Sequence, residues 1–437
     1  METNQIPTYL KFAGLQMAAE AIYPVGYTQG PVDKSTLTGG NSRRSQFTNV
    51  LADQFIADGW TVVDHKKDTG TGFSGTLFRY GGPTDLSRDL TNGELVLSFR
   101  STEFIDDSAR DSVATNQLEI SKTGWAFGQI ADMQDWFNQL NADPAMLQGK
   151  NFSVTGYSLG GHLATAFNVL MVDAGSASRI TATYTFNGAG VGDIDDGHTL
   201  TEAVGLFRVG KAFGNADYFT DAAVRGLYLT LVASLDAVTP SAAQIAGAVS
   251  QVSNARALAK EQPYSPQRTV KLGEFDTLYL ALTRVQNVYG EADRIKATIS
   301  SGSGSAAATP VDQSEIDAVK LDYQLAVLRA SSLTKPFLTG VKDSYGVAYD
   351  PIRTELALVG ASPIYDIYGA PLPSAVANSQ NHYGRGIPVF IEDQPLGRGL
   401  IVGQVLVDRL ITGEVKLLQS GFEKNDFGDT HSLVLLI

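Results

Sequence analysis

Between Trp60 and Phe186, short apolar runs rich in β-branched and aromatic residues alternate with stretches of helical periodicity. That alternation constrains the fold more than any other feature of the chain. Strand-like runs are Trp60–Asp64, Gly75–Tyr80, Glu94–Phe99, Phe152–Thr155 and Ile180–Phe186. Helical spacing marks Tyr9–Ile22 (Leu10, Ala13, Met17, Ala21), Gln46–Trp60, Trp125–Asn141 and Leu159–Val172. Residues 94–99 are apolar almost throughout, as in a strand buried on both faces of a parallel sheet. Leu227–Ala233 reads as a further strand of this kind, and strand signals return at Ile387–Ile391 and near Leu400–Val407. The expectation is an α/β chain with a mostly parallel central sheet flanked by helices.

The pattern changes between Ser241 and Leu338, where Ala-rich helical stretches dominate. Phe275, Leu278, Tyr279, Leu282 and Val285 share one helical face, as do Ile316, Val319, Tyr323 and Val327. Ser314 stands where an N-cap belongs, and SSGSGSAAATP between the two faces has the composition of a linker. The chain thus reads as one domain over 1–437 with a helical insertion at 241–338. That insertion is either a layer packed on the sheet or a movable lid.

Composition excludes several function classes. The formal net charge of −13 opposes binding to a phosphate backbone, so no nucleic-acid partner is expected. There is no cysteine, which removes disulfides, thiolate metal sites and a Cys nucleophile. No run approaches the roughly 18 apolar residues of a transmembrane helix. Met1–Pro7 lacks the basic-then-apolar layout of a signal peptide. The expected address is extracellular by a route without a conventional N-terminal signal, with the cytoplasm as the alternative.

Chemistry enters at Val154–Leu163, which contains G-x-S-x-G as Gly156, Ser158 and Gly160. A β-branched strand ends just before it and an apolar helix starts just after it, the context in which the motif carries meaning. Glycines two residues either side of the serine let the chain pass closely without a Cβ clash. The helix N-terminus behind Ser158 offers N–H groups and positive dipole character to an oxyanion.

Four segments together resemble the class 3 lipases and related bacterial lipase-like proteins that carry calcium-binding repeats downstream. They are Leu95–Thr102 (similar to F-R-G-[ST]), Gly156–Gly161 (G-x-S-L-G-G), Tyr184–Gly192 (Y-T-F-G-x-P-x-V-G) and Leu235–Pro240 (D-x-V-P). Ser101 stands where that family has Gly, and Asn187-Gly188 where it has Gly-[SA]. The chain holds no calcium repeat. The resemblance implies an α/β-hydrolase fold and a serine carboxylic ester hydrolase acting on lipid acyl esters, at a lipid–water interface. A phospholipase A1 and a short-chain or polyester esterase are alternatives within that chemistry. A peptidase or amidase with the same triad is a different reaction, and a non-catalytic lipid-binding module on a hydrolase scaffold is a different class.

The fold's triad order is Ser, then Asp, then His. Asp236, after the 227–233 run, is the expected acid, with Asp193, Asp195 and Asp196 as rivals. The five histidines make a short list for the base. His65 precedes the serine, His162 lies on the helix after it, and His198 precedes the acid. His431, where a polar loop meets the apolar run Leu433–Ile437, is the expected base, and His382 the alternative. Leu159 N–H and Thr102 are the expected oxyanion donors, Thr102 by its match to the family's oxyanion Ser/Thr. No cofactor or catalytic metal is required. Structural calcium is considered only at Asp106, Asp107 and Asp111, or at Asp193, Asp195 and Asp196.

Overall fold

The computed structural model describes residues 5–24, 26–41, 45–102, 115–116, 119–195, 197–237, 240–300, 317, 319–338, 356–370 and 381–390. Among the described residues, seven strands form one sheet in chain order. They are β1 (Trp60–Lys66), β2 (Gly75–Tyr80), β3 (Leu95–Phe99), β4 (Phe152–Tyr157), β5 (Ile180–Phe186), β6 (Ile364–Ala370) and β7 (Arg385–Phe390). The pairs β1/β2 and β2/β3 are antiparallel, and every pair from β3 to β7 is parallel. The expected mixed α/β architecture with a mostly parallel sheet is what the chain adopts.

The sheet is covered on both faces, which is why its central strands lack polar alternation. Val96, Ala182, Tyr184 and Ile367 pack with Phe12, Leu15 and Met17 of α1 (Ile6–Glu20) and with Phe55 of α3 (Asn49–Asp58), beyond the short α2 (Lys34–Gly39). On the other face Leu97, Phe99 and Val154 pack with Trp136 and Phe137 of α5 (Phe127–Ala142) and with Leu163 and Phe167 of α6 (Leu159–Asp173). A single turn, α4 (Ser121–Thr123), precedes α5. Local signals set the ends: Thr48 caps α3 by accepting from Leu51 N–H, and Gly59 closes it at φ 86°.

Between β5 and β6 the described residues are mostly helical from Leu200 to Thr334, starting earlier than the 241 boundary read from composition. The helices are α7 (Leu200–Ala212), α8 (Ala222–Leu235), α9 (Ala242–Glu261), α10 (Pro266–Ser300) and α11 (Leu321–Thr334). Capping boxes start α7 (Thr199 with Glu202) and α9 (Ser241 with Gln244). Helices α8 to α11 build a core of their own from Val224, Tyr228, Ile245, Phe275, Leu282 and Leu325, and α11 packs on α7. Of the face read in α10, Phe275, Leu278, Leu282 and Val285 are buried, whereas Tyr279 is exposed. Ile316, Ser314 and all of the SSGSGSAAATP segment after Ser300 lie outside the described residues, as does the 400–407 run.

Leu227–Ala233 is not a strand but the second half of α8. The buried residues Val224, Tyr228, Leu231 and Leu235 recur at helical spacing, and Leu229 between them is exposed. Asp221 caps the helix by accepting from Ala223 and Val224 N–H. A short apolar run carries no periodicity that separates strand from helix, and length and capping decide it.

Candidate active site

The parallel strands end on one side of the sheet, and the segments leaving β3, β4 and β5 meet there. Ser158 follows β4 with φ 53° and ψ −116°, a conformation costing a non-glycine residue about 1–3 kcal/mol. The turn is held from both directions. Ser158 donates its N–H to Phe186 O (3.0 Å), and Ser158 O accepts from Gly161 N (3.0 Å), His162 N (3.2 Å) and Ala189 N (3.0 Å). The glycines are required by contact. A Cβ on Gly156 would stand 2.0 Å from Gly160 O, and one on Gly161 would stand 2.6 Å from Gly188 Cα. Ser158 itself remains half-exposed, and Leu159 is buried at the start of α6.

The end of β3 lies against the same turn, since a Cβ on Gly160 would sit 2.1 Å from Phe99 O and 3.0 Å from Arg100 O. Arg100, Ser101 and Thr102 are all buried there. Thr102 Oγ1 accepts a hydrogen bond from Asn116 Nδ2 (2.9 Å), which leaves the hydroxyl proton available to a further acceptor. Of the two residues named from the sequence as an oxyanion pair, Leu159 starts the helix at this turn and Thr102 lies two residues beyond Arg100, whose carbonyl faces Gly160.

The described histidines separate by environment. His162 is fully buried, accepts Ala126 N–H at Nε2 (3.1 Å) and faces Gly190 O through Nδ1 (2.8 Å). Burial pushes its pKa down to about 4, with the His382 ring acting in the same direction. It is a neutral strut between α5 and the 187–191 loop. His65 is buried under Tyr23 beside Thr76 and is pushed down to about 3. His198 is exposed, 3.6 Å from Glu202.

His382 sits with Nδ1 3.4 Å from Asp366 Oδ2, both side chains nearly buried. Asp366 lies on β6, level with Thr185 on β5 and Gly156 on β4, and its Oδ1 accepts from Thr185 Oγ1 (2.8 Å). Backbone pairing links His382 to the turn: Ala189 binds Ser158 O, and Val191 exchanges hydrogen bonds with Asn381 at 2.9 and 2.8 Å. Asp366 escaped the sequence reading because β6 did. Its signal was IYDIY between Pro363 and Gly369, an aromatic and β-branched run bounded by breakers.

The expected acid Asp236 stands in the helical layer, because the run before it is helix and not strand. It ends α8 and accepts Leu321 N–H (2.6 Å) and Asp322 N–H (2.9 Å), capping α11 with both oxygens. It therefore does not stand at a strand end. The expected base His431 lies outside the described residues, as do Asp106, Asp107, Asp111 and Asp196. Asp193 accepts from Asn381 Nδ2. Among the described residues no group of three His, Cys, Asp or Glu side chains is arranged to hold a metal ion. Among them, too, no helix is long and apolar enough to cross a membrane. No protein-family model matches the chain, and no curated protein matches it.

Proposed function

We propose that this chain is a serine carboxylic ester hydrolase of the α/β-hydrolase fold, with Ser158 as nucleophile. The observation that carries the reading is the strained, half-exposed serine between β4 and α6, enclosed by three glycines that contact demands. Strain of this kind costs stability and is retained where a side chain must be held out of its ordinary geometry. Ser158 Oγ attacks an ester carbonyl, and Leu159 N–H and the Thr102 hydroxyl receive the developing oxyanion. Asn116 supports Thr102 by occupying a lone pair on its oxygen, so the proton stays directed to the substrate. The alcohol leaves, and water then hydrolyses the acyl-enzyme.

The base we assign is His382. Its Nδ1 faces the Asp366 carboxylate, the arrangement that fixes one imidazole tautomer and steadies the imidazolium, and the order Ser158, Asp366, His382 keeps the fold's chain order. His431 is the second reading, favoured by the sequence where a polar loop runs into the C-terminal apolar stretch. The substrate class is an acyl ester of a lipid, as the likeness to class 3 lipases in four ordered segments suggests.

Hydrolysis of p-nitrophenyl esters from butyrate to palmitate tests the whole reading. Ser158→Ala should lose on the order of 10⁴-fold or more in kcat. His382→Ala and Asp366→Asn should fall by comparable factors while His431→Ala stays active. A dead His431→Ala beside an active His382→Ala transfers the base to His431 and leaves His382–Asp366 as a packing pair. An active Ser158→Ala sinks the central claim.

A further inference from the structure

The loop that carries Thr102 is held from behind by a buried acid. Glu20 is the last residue of α1 and is fully buried. Its Oε1 accepts Ser101 N–H (2.9 Å) and its Oε2 accepts the Ser101 hydroxyl (2.5 Å). Gln16 Nε2 donates to the same Oε1 (2.7 Å) and to Phe99 O (2.9 Å), while Ser98 Oγ donates to Gln16 Oε1 (2.7 Å). Asn41 Nδ2 completes the carboxylate's surroundings at 3.3 Å. Helix α1 therefore grips residues 98 and 99 at the end of β3 and residue 101 just past it, where α6 presses through Gly160.

This is an expensive way to anchor a loop. A carboxylate at a helix C-terminus meets the unfavourable end of the macrodipole, and full burial strips its hydration. Burial raises the Glu20 pKa despite the bonds from Ser101 and Gln16 and the nearby Arg100 charge, which itself pairs with Asp68 at 3.2 Å. Two of its bonds converge on a single residue, one from the main chain and one from the side chain. Together they fix the Arg100–Ser101 peptide and the Ser101 side chain, one residue before Thr102. A loop needed only for packing gains nothing from having both specified.

We propose that Glu20 is a positioning residue for the oxyanion hole, clamping Ser101 so that Thr102 stands over the Ser158 turn. The inference rests on the hydrolase reading above. Glu20→Ala should lower kcat for p-nitrophenyl butyrate about 10²- to 10³-fold, as losing one oxyanion donor does, with KM changed less than about twofold. Glu20→Gln keeps an oxygen for Ser101 N–H and should recover kcat to within about tenfold of wild type. Hydrogen exchange at the Ser101 amide should accelerate in Glu20→Ala and stay slow in Glu20→Gln. Asp64→Ala serves as the control for general destabilisation. It removes the acceptor for Trp136 Nε1–H (2.6 Å) on β1 and should leave kcat unchanged.

If Glu20→Ala does not fold, Ser101→Ala removes the hydroxyl half of the clamp alone and should lower kcat about tenfold with KM held. Unchanged kcat in a folded Glu20→Ala beside an active wild type overturns the clamp alone. So does an equal fall in Asp64→Ala, or unaltered Ser101 exchange. A wild type inert on every ester overturns the hydrolase reading and the clamp with it.

Discussion

Two glycine-to-alanine substitutions, each inside a helix, should move stability in opposite directions. In α6 a Cβ on Gly160 would stand 2.1 Å from Phe99 O and 2.9 Å from its carbonyl carbon. Both atoms belong to backbone at the end of a central strand, so relief requires moving either β3 or the first turn of α6 by about 1 Å. Overpacking of a rigid interior costs about 1–3 kcal/mol, and a main-chain obstacle puts this site at the upper end. Alanine returns about 1 kcal/mol through helix propensity. The net expectation for Gly160→Ala is a loss of about 2 kcal/mol. In α7, Gly205 is exposed and a Cβ there meets nothing within 4 Å. Gly205→Ala should therefore gain up to about 1 kcal/mol from the same propensity term. Urea unfolding of the three proteins, read as midpoint shifts at constant m, measures both values. Ester turnover gives a second reading, because displacing Phe99 also displaces Thr102, so Gly160→Ala should be slowed and Gly205→Ala should not. A Gly160→Ala protein as stable as wild type would refute the claim that backbone contact, and not chain flexibility, requires glycine at this turn.

Two further predictions concern groups around the site. Asp236→Ala removes the cap from α11 and should cost about 1–2 kcal/mol, with turnover per folded molecule unchanged; loss of turnover in a folded Asp236→Ala would restore it as the acid. Glu119, buried and accepting Gly128 N–H at 3.1 Å, has its pKa raised by burial from 4.5 to about 7. The folded state therefore holds a proton that the unfolded chain releases. That contribution is complete below pH 4.5 and is lost as pH rises through about 7. It corresponds to about 3 kcal/mol. The stability of wild type relative to Glu119→Gln should decline by about that amount between pH 4.5 and 8; a pH-independent difference would mean that Glu119 is not held protonated.

Much of the architecture was legible because periodicity and burial agree where both faces of a sheet are covered. The runs read as strands at 75–80, 94–99, 152–155 and 180–186 are β2 to β5 to within two residues, and α1, α3 and α6 fall within a few residues of their expected bounds, whereas the short α2 was not expected. The region from 200 to 235 misled where composition and periodicity pull apart. In α8 the apolar residues are so dense that Leu227–Ala233 carries a strand's composition and a helix's burial pattern at once. The expected place of Asp236 at a strand end fell with it, since an acid after a strand and an acid after a helix look identical in sequence. The role of Ser101 is one that only the fold supplies, because its hydroxyl donates to Glu20, 81 positions earlier.

By itself the sequence determined the serine's turn. Gly156 and Gly160 are neighbours along the chain, and the clash that a Cβ on Gly156 would make with Gly160 O acts over one strand end and one helical turn, whereas Gly160 and Gly161 answer to Phe99 and Gly188, which the assembled sheet brings there. It likewise determined that the sheet would be buried on both faces, since that depends on local hydrophobic pattern. Tertiary structure alone decided which distant groups serve that turn. Glu20 reaches Ser101 and Asp366 reaches both Thr185 and His382. Side-chain hydrogen bonds span only a few ångströms of space but any distance along the chain, so no spacing rule encodes them before the sheet has assembled.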